Sequence, residues 1–164
     1  MRWRAWSVLP VAAAAAGTLA AGTVLADSQR VLDAPGDGHG GCEILAATAG
    51  HAAGGKLKHT ITMADAIQDT SVAPIVLIRA TPSEVGRAPR FTLAPGSAGV
   101  STRRSVDRKT VTYTITAARL RSAMEVPKTR RSYFWSANGC FQYPDWAPDT
   151  ASGREQVKAH RFRP

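Results

Sequence analysis

Pairs of cationic side chains, with aromatic residues nearby in the sequence, give the clearest indication of binding chemistry in this chain. The pairs are Arg103-Arg104, Arg108-Lys109 and Arg130-Arg131, with Trp135 close by. Fixed guanidinium forks and aromatic faces suit the recognition of anionic glycans. The pattern therefore predicts a basic, aromatic platform for an anionic glycan or polymer. The alternative is that the arginines are solvated and that Phe134 or Trp135 fills the core.

The positive charge is concentrated in the C-terminal half of the chain. The formal net charge is +9, and residues 79–164 hold 16 basic and six acidic side chains. Residues 27–78, by contrast, hold three basic and six acidic side chains. A strongly basic exported surface attracts anionic partners such as teichoic acids, phospholipid head groups or acidic polysaccharides. An ordinary solubility role is the alternative, and nucleic acid is not an expected partner outside the cell.

Three carboxylates around a Gly-rich loop suggest a cation site. These are Asp33, Asp37 and Glu43. Because Ca²⁺ binds carboxylate and carbonyl oxygens in flexible loops, the three residues are candidate calcium ligands, although their spacing differs from an EF-hand loop. The alternative is a turn whose Asp side chains bond their own backbone. No other cofactor is expected.

The sequence lacks the residue patterns of familiar catalytic sites. Its histidines, His39, His51, His59 and His160, show no metal-ligand spacing, and no G-x-S-x-G is present. His59 lies on the apolar side of a strand pattern, which favours a core or edge histidine over a metal ligand. Acidic residues give no glycosidase signal, because their separation in space is not visible in a sequence. We predict a protein without catalytic activity; the alternatives are a secreted hydrolase with an unrecognised site and a purely structural accessory domain.

The first 26 residues indicate export from the cytoplasm. A short positive start precedes an apolar, Ala-rich run over residues 8–25, and Ala26 is followed by polar Asp27. This order is typical of a secretory signal peptide cleaved after Ala26. An uncleaved anchor is the alternative, since about 18 apolar residues is near the lower limit for a spanning helix. We expect a secreted or cell-envelope protein with no further membrane span.

Cys42 and Cys140 are the only cysteines in the chain. In an oxidising compartment, two cysteines in one small domain usually pair. Neither belongs to a CxxC pair or has a Cys or His at ligand spacing beside it, which disfavours a metal or redox site. The sequence therefore predicts a disulfide between Cys42 and Cys140.

Short apolar and alternating runs between Gly and Pro turns predict the elements that must position these side chains. The clearest is 110–116, where Val111, Tyr113 and Ile115 alternate with threonines. Further strands are predicted at 43–49, 56–63, 74–78, 90–93, 132–136 and 157–162, with short helices at 64–69 and 117–124. This pattern favours an all-β fold, an antiparallel β-sandwich of jelly-roll-like type. It would span residues 42–164, after a turn-rich entry segment at 27–41.

The order of these segments resembles that of exported actinobacterial β-sandwich proteins, which are similar to carbohydrate-binding and DOMON-like modules. Those proteins open with an Asp-x-x-Gly-Asp stretch followed by Asp-Ile. Here Asp33 and Asp37 stand in the first stretch, and Glu43 precedes Ile44 where the pattern has Asp. The likeness continues through 55–62, 112–115 and 133–135 and covers residues 32–137. It implies a fold rather than one function, because one sandwich hosts many.

Overall fold

The computed structural model describes residues 28–33, 36, 41–67, 73–140, 144–150 and 153–163. The strands are β1 Ser28–Leu32, β2 Ile44–Ala52, β3 Lys56–Met63, β4 Ile75–Arg79, β5 Phe91–Leu93, β6 Ser101–Arg104, β7 Thr110–Thr116, β8 Ser132–Asn138, β9 Trp146–Ala147 and β10 Lys158–Arg161. The helix α1 spans Ala117–Ala123, and a 3-10 turn spans Pro82–Glu84. The predicted signal peptide lies outside the described residues. Within them, no helix is both long and apolar enough to cross a membrane.

Two antiparallel sheets pack face to face and confirm the predicted β-sandwich. The first sheet has the strand order β1-β2-β3-β7-β6, and the second has the order β10-β8-β4-β5, with β9 paired to β8. The chain crosses between the sheets after β3, after β5 and through α1. The predicted helix at 117–124 is confirmed, and the Thr116 side chain caps it by accepting a hydrogen bond from the Arg119 N–H at 3.1 Å.

Alternation along the central strands fills the space between the sheets. Leu57, His59 and Ile61 of β3 lie opposite Ile115, Tyr113 and Val111 of β7, and all six side chains are buried. They join buried side chains of β4 and β8 in one hydrophobic core. Burial of the inward set explains why period two in the sequence predicted these strands well.

Three strands were not predicted, and one predicted helical turn is wrong. β1 lies inside the segment expected to be turn-rich, β6 contains no apolar residue, and β9 has two residues. β1 and β6 are the edge strands of the first sheet, where one flank has no partner strand to select a hydrophobic pattern. In the predicted helical turn at 64–69, residues 64 and 65 form a bend and 66 and 67 have no regular structure, whereas 68 and 69 lie outside the described residues.

A disulfide and a buried carboxylate tie the start of β2 to the end of β8. Cys42 and Cys140 are bonded, with their Cα atoms 5.2 Å apart, as predicted. The buried Asp145 side chain accepts a hydrogen bond from the Ile44 N–H, and its carbonyl accepts one from the Gly139 N–H at 2.9 Å. A Cβ at Gly139 would lie 1.9 Å from the Cys42 carbonyl oxygen. This crossing therefore requires glycine.

Candidate anion-binding groove

A groove lined almost entirely by basic side chains lies beside α1, the connection from α1 to β8, and β10. We call it the basic groove; its volume is about 540 Å³. Its lining residues are Arg121, Lys128, Thr129, Arg130, Arg131, Arg161 and Arg163. Six of these seven residues are cationic, so the groove favours a negatively charged ligand.

Strand pairing brings the C-terminal arginines to the connection before β8. Because β10 runs antiparallel to β8, Arg161 lies opposite Ser132. The Phe162 N–H donates a hydrogen bond to the Arg131 carbonyl at 3.0 Å. Phe162 is buried, whereas Arg161 and Arg163 on either side of it are exposed. The buried ring anchors the chain end and holds two arginines at the rim of the groove.

Two arginines are fixed in the wall of the groove by main-chain carbonyls. The Arg121 guanidinium lies 4.1 Å from the centroid of the Phe162 ring, and its Nε and Nη2 each donate to the Arg130 carbonyl at 3.3 Å. Arg130 donates from Nε to the Ser132 carbonyl at 3.0 Å and from Nη2 to the Ala80 carbonyl. These two side chains position the wall, and their charge remains unneutralised.

The positively charged side chains of the basic groove lie close together and repel one another. Burial, followed by the positive charge of Arg163, lowers the pKa of Arg121. Lys128, Arg131, Arg161 and Arg163 are exposed. Among the described residues, no carboxylate lies within ion-pair distance of any of the six groove cations. An anion placed among them would therefore relieve a repulsion that the fold itself leaves in place.

A second basic surface lies on the outer side of the first sheet, over β3, β6 and β7. We call it the hydroxyl face, because five of its eight lining residues are Ser or Thr, around a recess of about 500 Å³. The lining residues are Lys58, Ser101, Arg103, Arg104, Ser105, Thr110, Thr112 and Thr114. It shares no lining residue with the basic groove.

The single platform predicted from the sequence is thus divided between two surfaces. Arg130 and Arg131 line the basic groove, whereas Arg103 and Arg104 line the hydroxyl face. Arg108 belongs to neither lining set. It lies in the turn between β6 and β7 with a φ of 60°, and its Nη2 donates to a main-chain carbonyl at 2.7 Å. This contact across the loop gives Arg108 a structural role.

The prediction for Trp135 is wrong, because its side chain is fully buried in the core. The indole ring lies 5.3 Å, centroid to centroid, from the His59 ring of the facing sheet. It cannot contact a polymer on the surface. Trp135 sits on β8 between partners β4 and β10, so its inward position in the central part of the second sheet determines its role.

Sequence reasoning missed four cationic residues of the basic groove. They are Arg121, Lys128, Arg161 and Arg163. The available signal was the spacing of Arg161 and Arg163 around Phe162, which is the alternation expected of a half-buried strand end. The sequence did not show that this strand would pair with the start of β8, and that pairing creates the groove.

The candidate calcium ligands do not form a described metal site. The Glu43 carboxylate accepts a hydrogen bond from the Gly36 N–H at 2.7 Å, across a turn in which Gly36 has a φ of 97°. Asp33 is buried at the end of β1, and Asp37 lies outside the described residues. No group of three or more metal-ligating side chains occurs in the described part of the chain. The Glu43 contact joins this side chain to the backbone of Gly36, and calcium binding stays a prediction.

His59 and Tyr133 are buried and contact each other between the two sheets. The buried His59 Nε2 lies 2.8 Å from the Tyr133 hydroxyl oxygen, which joins β3 to β8 across the sandwich. Burial, and next the charge of His160, lower the pKa of His59 to about 3. Burial raises the pKa of Tyr133. Both groups are therefore neutral near pH 7, and the predicted core position of His59 is confirmed.

Comparison of the chain with protein-family models, with curated proteins and with solved structures finds no match to any of them.

Proposed function

We propose that this protein is a non-catalytic binding module that holds an anionic polymer or glycan in its basic groove, at the cell envelope or outside the cell. The observation that carries the proposal is the set of six cations around one groove, none of which has an ion-pair partner among the described residues. Solubility alone requires dispersed charge of both signs, not a recess of one sign. A recess lined by charges of one sign concentrates the electrostatic field and attracts ligands of the opposite charge.

The positions of the groove side chains support binding rather than catalysis. Arg121 and Arg130 are held by main-chain carbonyls and shape the wall. Arg131, Arg161 and Arg163 are exposed and have planar guanidinium groups, which form paired hydrogen bonds with phosphate, sulfate-like or carboxylate oxygens. The lining contains cations and one threonine, with no acidic or histidine side chain that would act as a general base.

An extracytoplasmic location also belongs to the proposal. The predicted signal peptide and the buried Cys42–Cys140 bridge both support it, since disulfides persist in oxidising compartments. The resemblance of the sequence to exported β-sandwich proteins also agrees with an extracytoplasmic location.

A charge-matched pair of variants tests the groove. The groove variant carries Arg131→Ser, Arg161→Ser and Arg163→Ser, and the control carries Lys56→Ser, Arg87→Ser and Arg154→Ser. All six side chains are exposed, and each variant loses three positive charges. On immobilised teichoic acid and heparin at low salt, we expect the groove variant to bind about tenfold more weakly than the control.

Equal loss of retention in both variants would show that net charge alone attracts the polymer, and would overturn the assignment to the groove. No retention of the wild-type protein at low ionic strength would overturn the binding function itself. Retention by the wild type should decline as salt is added, because exposed charges are screened over about 8–10 Å at physiological ionic strength.

A further inference from the structure

The hydroxyl face is a regular array rather than a scatter of polar residues. In one row across the sheet, Lys58 of β3 lies opposite Thr114 of β7, which lies opposite Ser101 of β6. In the next row, Thr60 lies opposite Thr112, which lies opposite Arg103 of β6. Each row runs from β3 to β6 through β7.

The spacing of this array follows from sheet geometry. Neighbouring strands lie about 4.8 Å apart, and same-face residues along a strand lie about 6.8 Å apart. The hydroxyl oxygens of Thr60 and Thr112 are 3.2 Å apart, so the two hydroxyl groups of the second row are joined by a hydrogen bond. Lys58 and Arg103 are exposed at its margins, and the recess has no acidic lining residue. A surface of this kind offers hydrogen bonds to hydroxyl groups and ion pairs to acidic groups at fixed distances.

We infer that the hydroxyl face is a second binding site, for a segment of acidic glycan, and that one molecule therefore bridges two glycan segments. This inference rests on the proposed function of the basic groove. The partner is a glycan because the hydroxyl rows match sugar hydroxyls, while Lys58 and Arg103 match acidic substituents. The site is weaker than the groove, because three cations line it where six line the groove.

Bridging requires that the two sites act on different segments. The hydroxyl face belongs to the first sheet, and the basic groove belongs to α1 and the second sheet, with no shared lining residue. A short fragment fills one site at a time, whereas a long chain held at one site raises the local concentration for the other. The protein would thus hold two segments of an acidic polymer, from one chain or from two neighbouring chains.

The test is a titration of the purified protein with a heparin tetrasaccharide as the probe, at low salt. We expect about two fragments per wild-type molecule, with the second bound about tenfold more weakly. Lys58→Ser with Arg103→Ser should remove only the weaker site. Arg87→Ser with Arg154→Ser removes the same charge from exposed positions outside both surfaces and should leave two sites. The Arg131, Arg161 and Arg163 variant should keep only the weaker site.

The outcomes separate this inference from the function on which it rests. A wild type that binds one fragment, lost in the groove variant, would leave the groove as a binding site and overturn the second site. Two fragments bound equally by the Lys58 and Arg103 variant would overturn it as well. No binding by any form would overturn both. A thermal unfolding curve unchanged in the Lys58 and Arg103 variant would show that the loss is local.

Discussion

The arginines of two regions of this molecule have opposite electrostatic surroundings. Arg79 at the end of β4 is buried and forms an ion pair with Glu155, with its Nη1 2.6 Å from a carboxylate oxygen. Its guanidinium also donates to the Glu84 and Arg87 carbonyls at 3.0 and 3.4 Å and to the Ser136 hydroxyl at 3.5 Å. The basic groove, by contrast, gathers five arginines and a lysine with no carboxylate partner among the described residues.

The difference shows where the fold uses charge and where it leaves charge for a partner. A buried arginine cannot lose its proton, so Arg79 needs a counter-charge and a complete set of acceptors. His59 solves the same problem in the core by remaining neutral. The exposed groove arginines need neither solution, because water solvates them until an anion arrives. Breaking each of these three arrangements should therefore have a different cost.

The largest expected effect is at the buried pair. Glu155→Gln keeps the size of the side chain and removes its charge, which leaves Arg79 buried without a counter-ion. We expect a loss of about 3–5 kcal/mol in the free energy of unfolding, measured in urea. Replacing both partners, with Arg79→Met and Glu155→Leu, should cost less than the single change, since no charge is then buried.

A Glu155→Gln protein as stable as the wild type would remove the contrast between the two arginine regions. The double variant serves as the control for packing, because a cost equal to that of the single change would assign the effect to shape instead of charge. Both proteins should retain wild-type binding to the anionic column wherever they remain folded.

The next effect is a pH dependence of stability that comes from the core. The pKa of His59 is lowered from 6.5 to about 3 in the folded state. Between these two values the unfolded chain binds the proton and the folded chain does not, so stability falls as the pH drops below about 6.5. The slope is about 1.4 kcal/mol per pH unit, and the loss reaches about 3 kcal/mol by pH 4.

His59→Gln separates this contribution from those of other groups. Glutamine keeps a hydrogen-bonding group near the Tyr133 hydroxyl and does not titrate, so the curve of stability against pH should become flatter between pH 6 and 4. His160, whose ring lies 6.3 Å from that of His59, and His51, which lies 4.9 Å from His160, remain in the variant. An unchanged slope would show that His59 is not the source of the acid sensitivity.

The strands best predicted from the sequence are those whose alternate side chains are buried in the core. Strand β7 has the predicted bounds, because Val111, Tyr113 and Ile115 must all face the core. The two edge strands of the first sheet were not predicted. One of them, β6, is built of Ser, Thr and Arg and is held by backbone hydrogen bonds to β7. Backbone groups of this kind are present in every residue except proline, so such bonds select no side-chain pattern in a sequence.

The candidate sites were less predictable, because they depend on which strands are neighbours. Two of the arginine pairs do line recesses of the surface, but Arg103 lines the hydroxyl face and Arg130 lines the basic groove. Arg161 joined the groove only through the pairing of β10 with β8, which alternation does not specify. Trp135 could equally have been an exposed or a core aromatic, and its central place in the second sheet determined the outcome.

The smallest expected effect on stability is at the groove itself, and its sign is informative. Arg131→Ser, Arg161→Ser and Arg163→Ser together remove exposed side chains and reduce the like charge around Arg121, whose pKa is lowered by burial and next by the charge of Arg163. The free energy of unfolding should therefore rise by about 0.5 kcal/mol at low ionic strength, and the gain should disappear as salt screens the repulsion. The Lys56, Arg87 and Arg154 variant should show a smaller change.

A loss of more than about 1 kcal/mol in the groove variant would mean that these arginines stabilise the fold as Arg79 does. The contrast would then reduce to one between buried and exposed structural arginines, and the groove would no longer be distinguished by charge left for a partner.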